Sequence, residues 1–202
     1  MEKDIEEKKH TLTKKERHEI KRAEKQSARE KEIRMKKVKS WIPWIVFSGV
    51  VVGLIYWAVV AAQKAEESRP GEPVAIMSKE HVNASQAVGP YNSNPPTSGP
   101  HAGPAPWGVN TKEIPDVNAI HNLEHGGVWI SYKNLDAESV SALEEIARKN
   151  SRSVILSPRA ANDANIAVAS WGRLMKLDAV DEERIIEFIR RNKNKSPEPL
   201  AI

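Results

Sequence analysis

Residues 41–62, WIPWIVFSGVVVGLIYWAVVAA, carry no charged side chain, and this run constrains the chain more than any other. At helical rise it reaches about 33 Å, enough to cross the hydrocarbon core of a bilayer. Trp41 and Trp44 stand at one end and Tyr56 and Trp57 approach the other, as expected of interfacial aromatics. Lys36, Lys37 and Lys39 precede the run, and Glu66 and Glu67 follow it. The bias of positive charge toward the cytoplasm then places the N-terminus inside and residues from about 65 onward outside the cell (inner) membrane. Both the apolar run and the arm before it are too long for a cleaved signal peptide. The expectation is a single-pass signal anchor with the lipid bilayer as its partner. Within it, Gly49 and Gly53 form a G-x-x-x-G, a spacing that lets two copies pair as a homodimer, though it is common by chance in membrane helices.

Charge is distributed unevenly about this anchor. Residues 1–40 hold 15 Lys/Arg against 9 Asp/Glu, a balance of +6; the other 162 residues hold 16 against 18, a balance of −2. The arm 1–40 is rich in helix-favouring Glu, Lys, Arg, Gln and Ala and has no continuous apolar face, so it reads as a solvated cytoplasmic helix. The exported part has no basic stripe, and no nucleic acid is expected as its partner. Cysteine is absent, which excludes disulfides, thiolate metal sites and cysteine nucleophiles.

Residues 63–74, QKAEESRPGEPV, read as a polar stalk, and 75–195 as an exported domain with a small core. Regular patterning begins at Gly127. Val128–Tyr132 reads as a strand, and Asp136 can cap a helix over about 137–149 with Val140, Leu143, Ile146 and Ala147 on one face. Ser153–Ser157 and Asn165–Trp171 read as two further strands. A last helix, capped by Asp178 or Asp181, runs to about Arg191 with Ile185, Ile186, Phe188 and Ile189 on its apolar side. The order β-α-β-β-α implies an α+β fold: a small mixed sheet with helices on one face, preceded by a Pro/Gly-rich ordered loop region. The segment after Asn192, including the tail 196–202, reads as frayed.

That loop region, Tyr91–Gly127, holds three of the six histidines: His101, His121 and His125. Pro95, Pro96, Pro100, Pro104 and Pro106 exclude helix and central strand from its first half, because proline lacks the N–H donor and has a fixed φ. His101 follows a Ser-Gly-Pro turn that would hold its backbone rigidly. His121 and His125 are four apart in HNLEH, a spacing that puts both imidazoles on one face of a helical turn. These three are the candidate metal ligands, with His81, Met77 and Met175 as further ones. Histidine without cysteine suits zinc or copper, and available methionine favours copper. Glu124 then hydrogen-bonds a ligating histidine from behind, and Tyr91 supports the loop in the same way.

Two catalytic readings are weaker. HNLEH fits the H-x-x-E-H pattern of inverzincin metallopeptidases, in which Glu124 would be the general base beside a zinc ion. Gly126-Gly127 ends any helix there, whereas that motif needs the helix to continue. Thr97-Ser98-Gly99 lacks the G-x-S-x-G context of a nucleophile turn and is ordinary turn chemistry. A third reading is a non-catalytic interaction module of the cell envelope whose histidines hold the Pro-rich loop by hydrogen bonds.

The segments YNSNPPTSGPH, APWGV and HNLEHGGVWISY resemble the bacterial domain of unknown function 3105 over about residues 75–192. The matching positions are Tyr91, Pro95, Pro96, Thr97, Ser98, Gly99, Pro100, His101, His121, Leu123, Glu124, His125 and Gly126. The resemblance implies a single-span or exported protein and carries no established activity.

Overall fold

The computed structural model describes residues 13–83 and 88–200. The chain divides into two compact units, Met1–Ala65 and Glu66–Ile202.

In the first unit, helix α1 (Lys14–Glu67) joins the charged arm and the apolar run without a break, and it extends just past the unit's end. The Thr13 and Glu16 side chains start it as a capping box: Thr13 N donates to Glu16 Oε2 at 2.8 Å, and Glu16 N donates to Thr13 Oγ1 at 3.4 Å. Residues 1–12 of the expected arm lie outside the described residues. The helix is long and apolar enough to cross a membrane and buries none of its residues against protein, which makes it a candidate membrane anchor. Pro43 is tolerated inside it, as prolines are in membrane helices.

The second unit is a mixed α/β fold on a six-stranded sheet. Its strands are β1 (Glu72–Pro73), β2 (Gly108–Val109), β3 (Val128–Tyr132), β4 (Val154–Pro158), β5 (Ile166–Ser170) and β6 (Arg173–Leu177). Their spatial order is β1-β6-β5-β3-β4-β2, with β2, β4 and β3 parallel and the remaining pairs antiparallel. The expected strands and both helices are present: α3 (Ala137–Lys149), whose N-cap Asp136 accepts from Ser139 N, and α4 (Glu182–Asn192), capped by Asp181. The structure adds β6, the two short edge strands and helix α2 (Asp116–Glu124) in the stretch expected to be loop.

The central strands alternate between two cores. Val128, Ile130, Val154, Leu156, Ile166 and Val168 face α3 and α4, meeting Leu143, Ile146, Ile185 and Phe188. Trp129, Ile155, Ala167 and Ala169 face the other way, meeting Ile120 and Leu123 of α2 and Ala105 of the Pro-rich loop. Strands covered on both faces should be mostly apolar, as VWISY and IAVAS are apart from the buried Ser131 and Ser170. β5 presents only alanines to the second face, so the loop layer can come close. Full burial of Ile120 and Leu123 stabilises that layer by roughly 1.5–3 kcal/mol each.

Residues 63–74, expected to be a stalk, contribute the end of α1 and then strand β1, which pairs with β6. Arg173 closes this edge by donating to the carbonyls of Glu66, Arg69 and Gly71 at 2.9–3.1 Å. Residues 193–200, expected to be frayed, are instead docked on the end of α2, while 201 and 202 lie outside the described residues. Asn194 N donates to Gly126 O, Glu198 N to Glu124 O and Leu200 N to His125 O. The physical reason is a row of carbonyls left unsatisfied where α2 stops, which the tail's amides fill.

Candidate metal centre

The Pro-rich loop is held at both ends by side chains that satisfy its backbone. Asn94 Nδ2 donates to Ala161 O, and Arg159, buried against the Trp129 ring, donates to Asn94 Oδ1 and in bidentate fashion to Asp116 at 2.7 and 2.8 Å. Ser98 Oγ accepts from Met77 N, and Tyr91 Oη donates to Pro100 O at 2.8 Å. Buried Asn122 of α2 pairs with both backbone groups of one residue, accepting from Ala105 N and donating to Ala105 O. Residues 91–105 are therefore built as part of the fold, a layer stitched to α2.

His101 leaves this layer with its ring fully buried. Its backbone forms a parallel bridge with the segment at residue 81: His101 N donates to Glu80 O at 2.9 Å, and Val82 N donates to His101 O at 2.8 Å. The bridge sets His81 beside His101, with ring centroids 4.4 Å apart. His121, on the facing turn of α2, lies 5.4 Å from the His101 ring and 5.6 Å from the His81 ring. One ring nitrogen from each of His81, His101 and His121 lies within 4.8 Å of the others.

Glu124, with its side chain 1 % exposed, lies beside two members of this group. Its Oε2 stands 2.9 Å from His101 Nε2 and 3.8 Å from His81 Nε2. His101 Nδ1 lies 2.9 Å from Gly99 O, which can only accept, so Nδ1 donates there; in the tautomer protonated at Nδ1 alone, the Nε2 lone pair points toward Glu124. In that tautomer two acceptors face each other out of water. They stand within ion-pair distance, and neither atom has a hydrogen-bond partner. Two donors on one zinc ion at 2.0–2.2 Å stand about 2.9–3.4 Å apart, depending on the angle between them. The observed separation falls in that range, and a small inward movement of His81 would bring it to the same point.

His121 is suited to the role of neutral donor. Burial lowers its pKa, and the neighbouring His125, His101 and His81 lower it further against an opposing backbone contact at Ala102. An imidazole kept uncharged at neutral pH keeps a lone pair for a cation. Burial, then Asp116, raises the Tyr91 hydroxyl to about 12, so it stays a hydrogen-bond donor to the loop.

The remaining candidate residues fall elsewhere. The His125 ring is 4.7 Å from that of His121, as the i, i+4 spacing predicts, but His125 groups with Glu124 and Glu198 and not with the three histidines. Met175 packs in the core on the far face of the sheet, among Val168 and Phe188, because its position in β6 alternates away from the loop layer. The Met77 sulfur lies by Gly99, where a side chain would also meet the Tyr91 ring. Glu124, expected behind a histidine, points its own oxygen into the cluster. The helix does end at once after it, with His125 as C-cap and Gly126 at φ 87°, so the continuing helix of the H-x-x-E-H peptidase geometry is absent from this site. Sequence reasoning also missed Glu198, for which KSPEPL offers no local signal.

An open groove of about 570 Å³ lies alongside, lined by His121, His125, Trp107 and Arg152 among others. A family model described as a protein of unknown function matches residues 81–202. No curated protein and no solved structure matches the chain.

Proposed function

The chain belongs to that family, DUF3105, and from this premise we propose that it is a membrane-anchored, extracytoplasmic metal-binding protein. Its ion is held by His81, His101 and His121 together with Glu124. The observation that carries this reading is the 2.9 Å approach of His101 Nε2 to Glu124 Oε2, two buried polar atoms with no hydrogen-bond partner. Such a pair is costly unless a cation lies between them. Three imidazoles and a carboxylate are borderline to hard donors that suit Zn²⁺ or Cu²⁺. Sulfur ligation, the original argument for copper, loses support with Met175 in the opposite core. Copper therefore enters as Cu²⁺ on the same nitrogens.

The test is titration of the chelator-stripped full chain in detergent micelles with Zn²⁺ and, separately, Cu²⁺. Binding is expected in the parent protein, and His81→Ala and His101→Ala should each weaken it by at least about 100-fold. His81 has a side chain 57 % exposed, so its variant reports on binding without disturbing the core. A parent protein that takes up neither ion would leave the histidines as hydrogen-bonding groups of an interaction module.

A further inference from the structure

We infer that the metal centre is dinuclear, with Glu124 bridging the ion of the histidine triad and a second ion held by His125 and Glu198. This rests on the mononuclear reading above and extends it. One donor atom from each of Glu124, His125 and Glu198 lies within 4.8 Å of the other two. His125 Nδ1 is buried, has no hydrogen-bond partner, and stands 3.8 Å from Glu198 Oε2, too far for a hydrogen bond between them. The nearly inaccessible Glu124 carboxylate, with its own unpartnered oxygen, stands against His101 and His81 of the triad and groups with His125 and Glu198. A carboxylate has two oxygens and can serve two ions, and paired ions in such centres sit about 3.5–4 Å apart.

The backbone is arranged to make this second group. Glu198 N donates to Glu124 O and Leu200 N to His125 O, so the tail is set against the two residues whose side chains it joins. The tail packs so closely on Gly126 that a Cβ there would lie 3.0 Å from Asn194 Cα. The second ion would be the more exposed of the two, since Glu198 is 53 % exposed and His125 lines the groove. Its free coordination positions would face that groove, where water or a small anion beside Arg152 can complete the shell.

The experiment is Zn²⁺ titration of the stripped full chain in detergent micelles, followed by calorimetry, with native mass spectrometry to count ions. The parent protein should take up two equivalents, the second more weakly. Glu198→Gln, which keeps the backbone contacts, and His125→Ala should each lose the weaker equivalent and keep the tight one. His101→Ala should lose the tight one. Saturation at one equivalent, with Glu198→Gln and His125→Ala unchanged, would overturn the second site and leave the mononuclear reading standing. Loss of all binding in Glu198→Gln would also overturn it, because the two groups would then be one site. No uptake by the parent protein sinks both.

Discussion

At the scale of the residue, the site depends on positions where side chains are aimed by backbone constraints. His101 is aimed by the Gly99 carbonyl at Nδ1 and by the bridge to residue 81. Gly126 has φ 87°, and a side chain there would run into Asn194. Gly126→Ala should therefore destabilise the folded unit by about 1–2 kcal/mol and release the tail. Thermal denaturation and limited proteolysis within 193–200 measure the two effects, and a tail that stays protected would show that it docks without Gly126. His101, His121 and Glu124 were legible beforehand because a Ser-Gly-Pro-His turn and an i, i+4 pair have local signatures. His81 was only a further candidate, and Glu198 was not foreseen. Each reaches the cluster through one long-range backbone pairing, and the residues flanking them contain nothing that specifies it.

At the scale of the element, α3 and α4 were readable from apolar spacing and an acidic N-cap. Asp181 Oδ1 accepts from Arg184 N at 3.1 Å, and α4 buries Ile185, Phe188 and Ile189 against the sheet. Asp181→Ala should cost about 1 kcal/mol, lowering the melting temperature by about 4 °C, with metal uptake unchanged because α4 lies on the face opposite α2. Differential scanning calorimetry decides the first point and zinc titration the second. Strand β6, RLMKL, escaped notice because Arg173 and Lys176 give it the look of a loop. Its Arg173 is buried all the same, since its guanidinium satisfies carbonyls at the sheet edge, while Lys176 pairs with Asp163 in solvent. Helix α2 escaped because its start has a proline and no side-chain cap, and because its burial comes from the sheet and loop it packs between.

At the scale of the whole molecule, an apolar helix precedes a folded unit that carries the site. The lysines before the apolar run and the glutamates after it predict a cytoplasmic arm and an exported domain. The chain has no cysteine, so Ser27→Cys and Ser141→Cys each supply a single thiol at an exposed position. A membrane-impermeant maleimide applied to intact cells should label position 141 and reach position 27 only after permeabilisation; the reverse pattern would invert the topology. By itself the sequence determined the apolar run that makes a candidate anchor, the alternation of the central strands, the caps of α3 and α4, and the family. Each of these is a preference expressed within a few residues, through side-chain period, charge or turn chemistry. Only the tertiary structure decided which histidines meet, that Glu124 faces them directly, and that the tail closes over the end of α2. Those contacts join positions such as 81 with 101 and 124 with 198. They form because packing two layers on one sheet leaves specific backbone groups to be paired across the chain, and no local pattern encodes which ones.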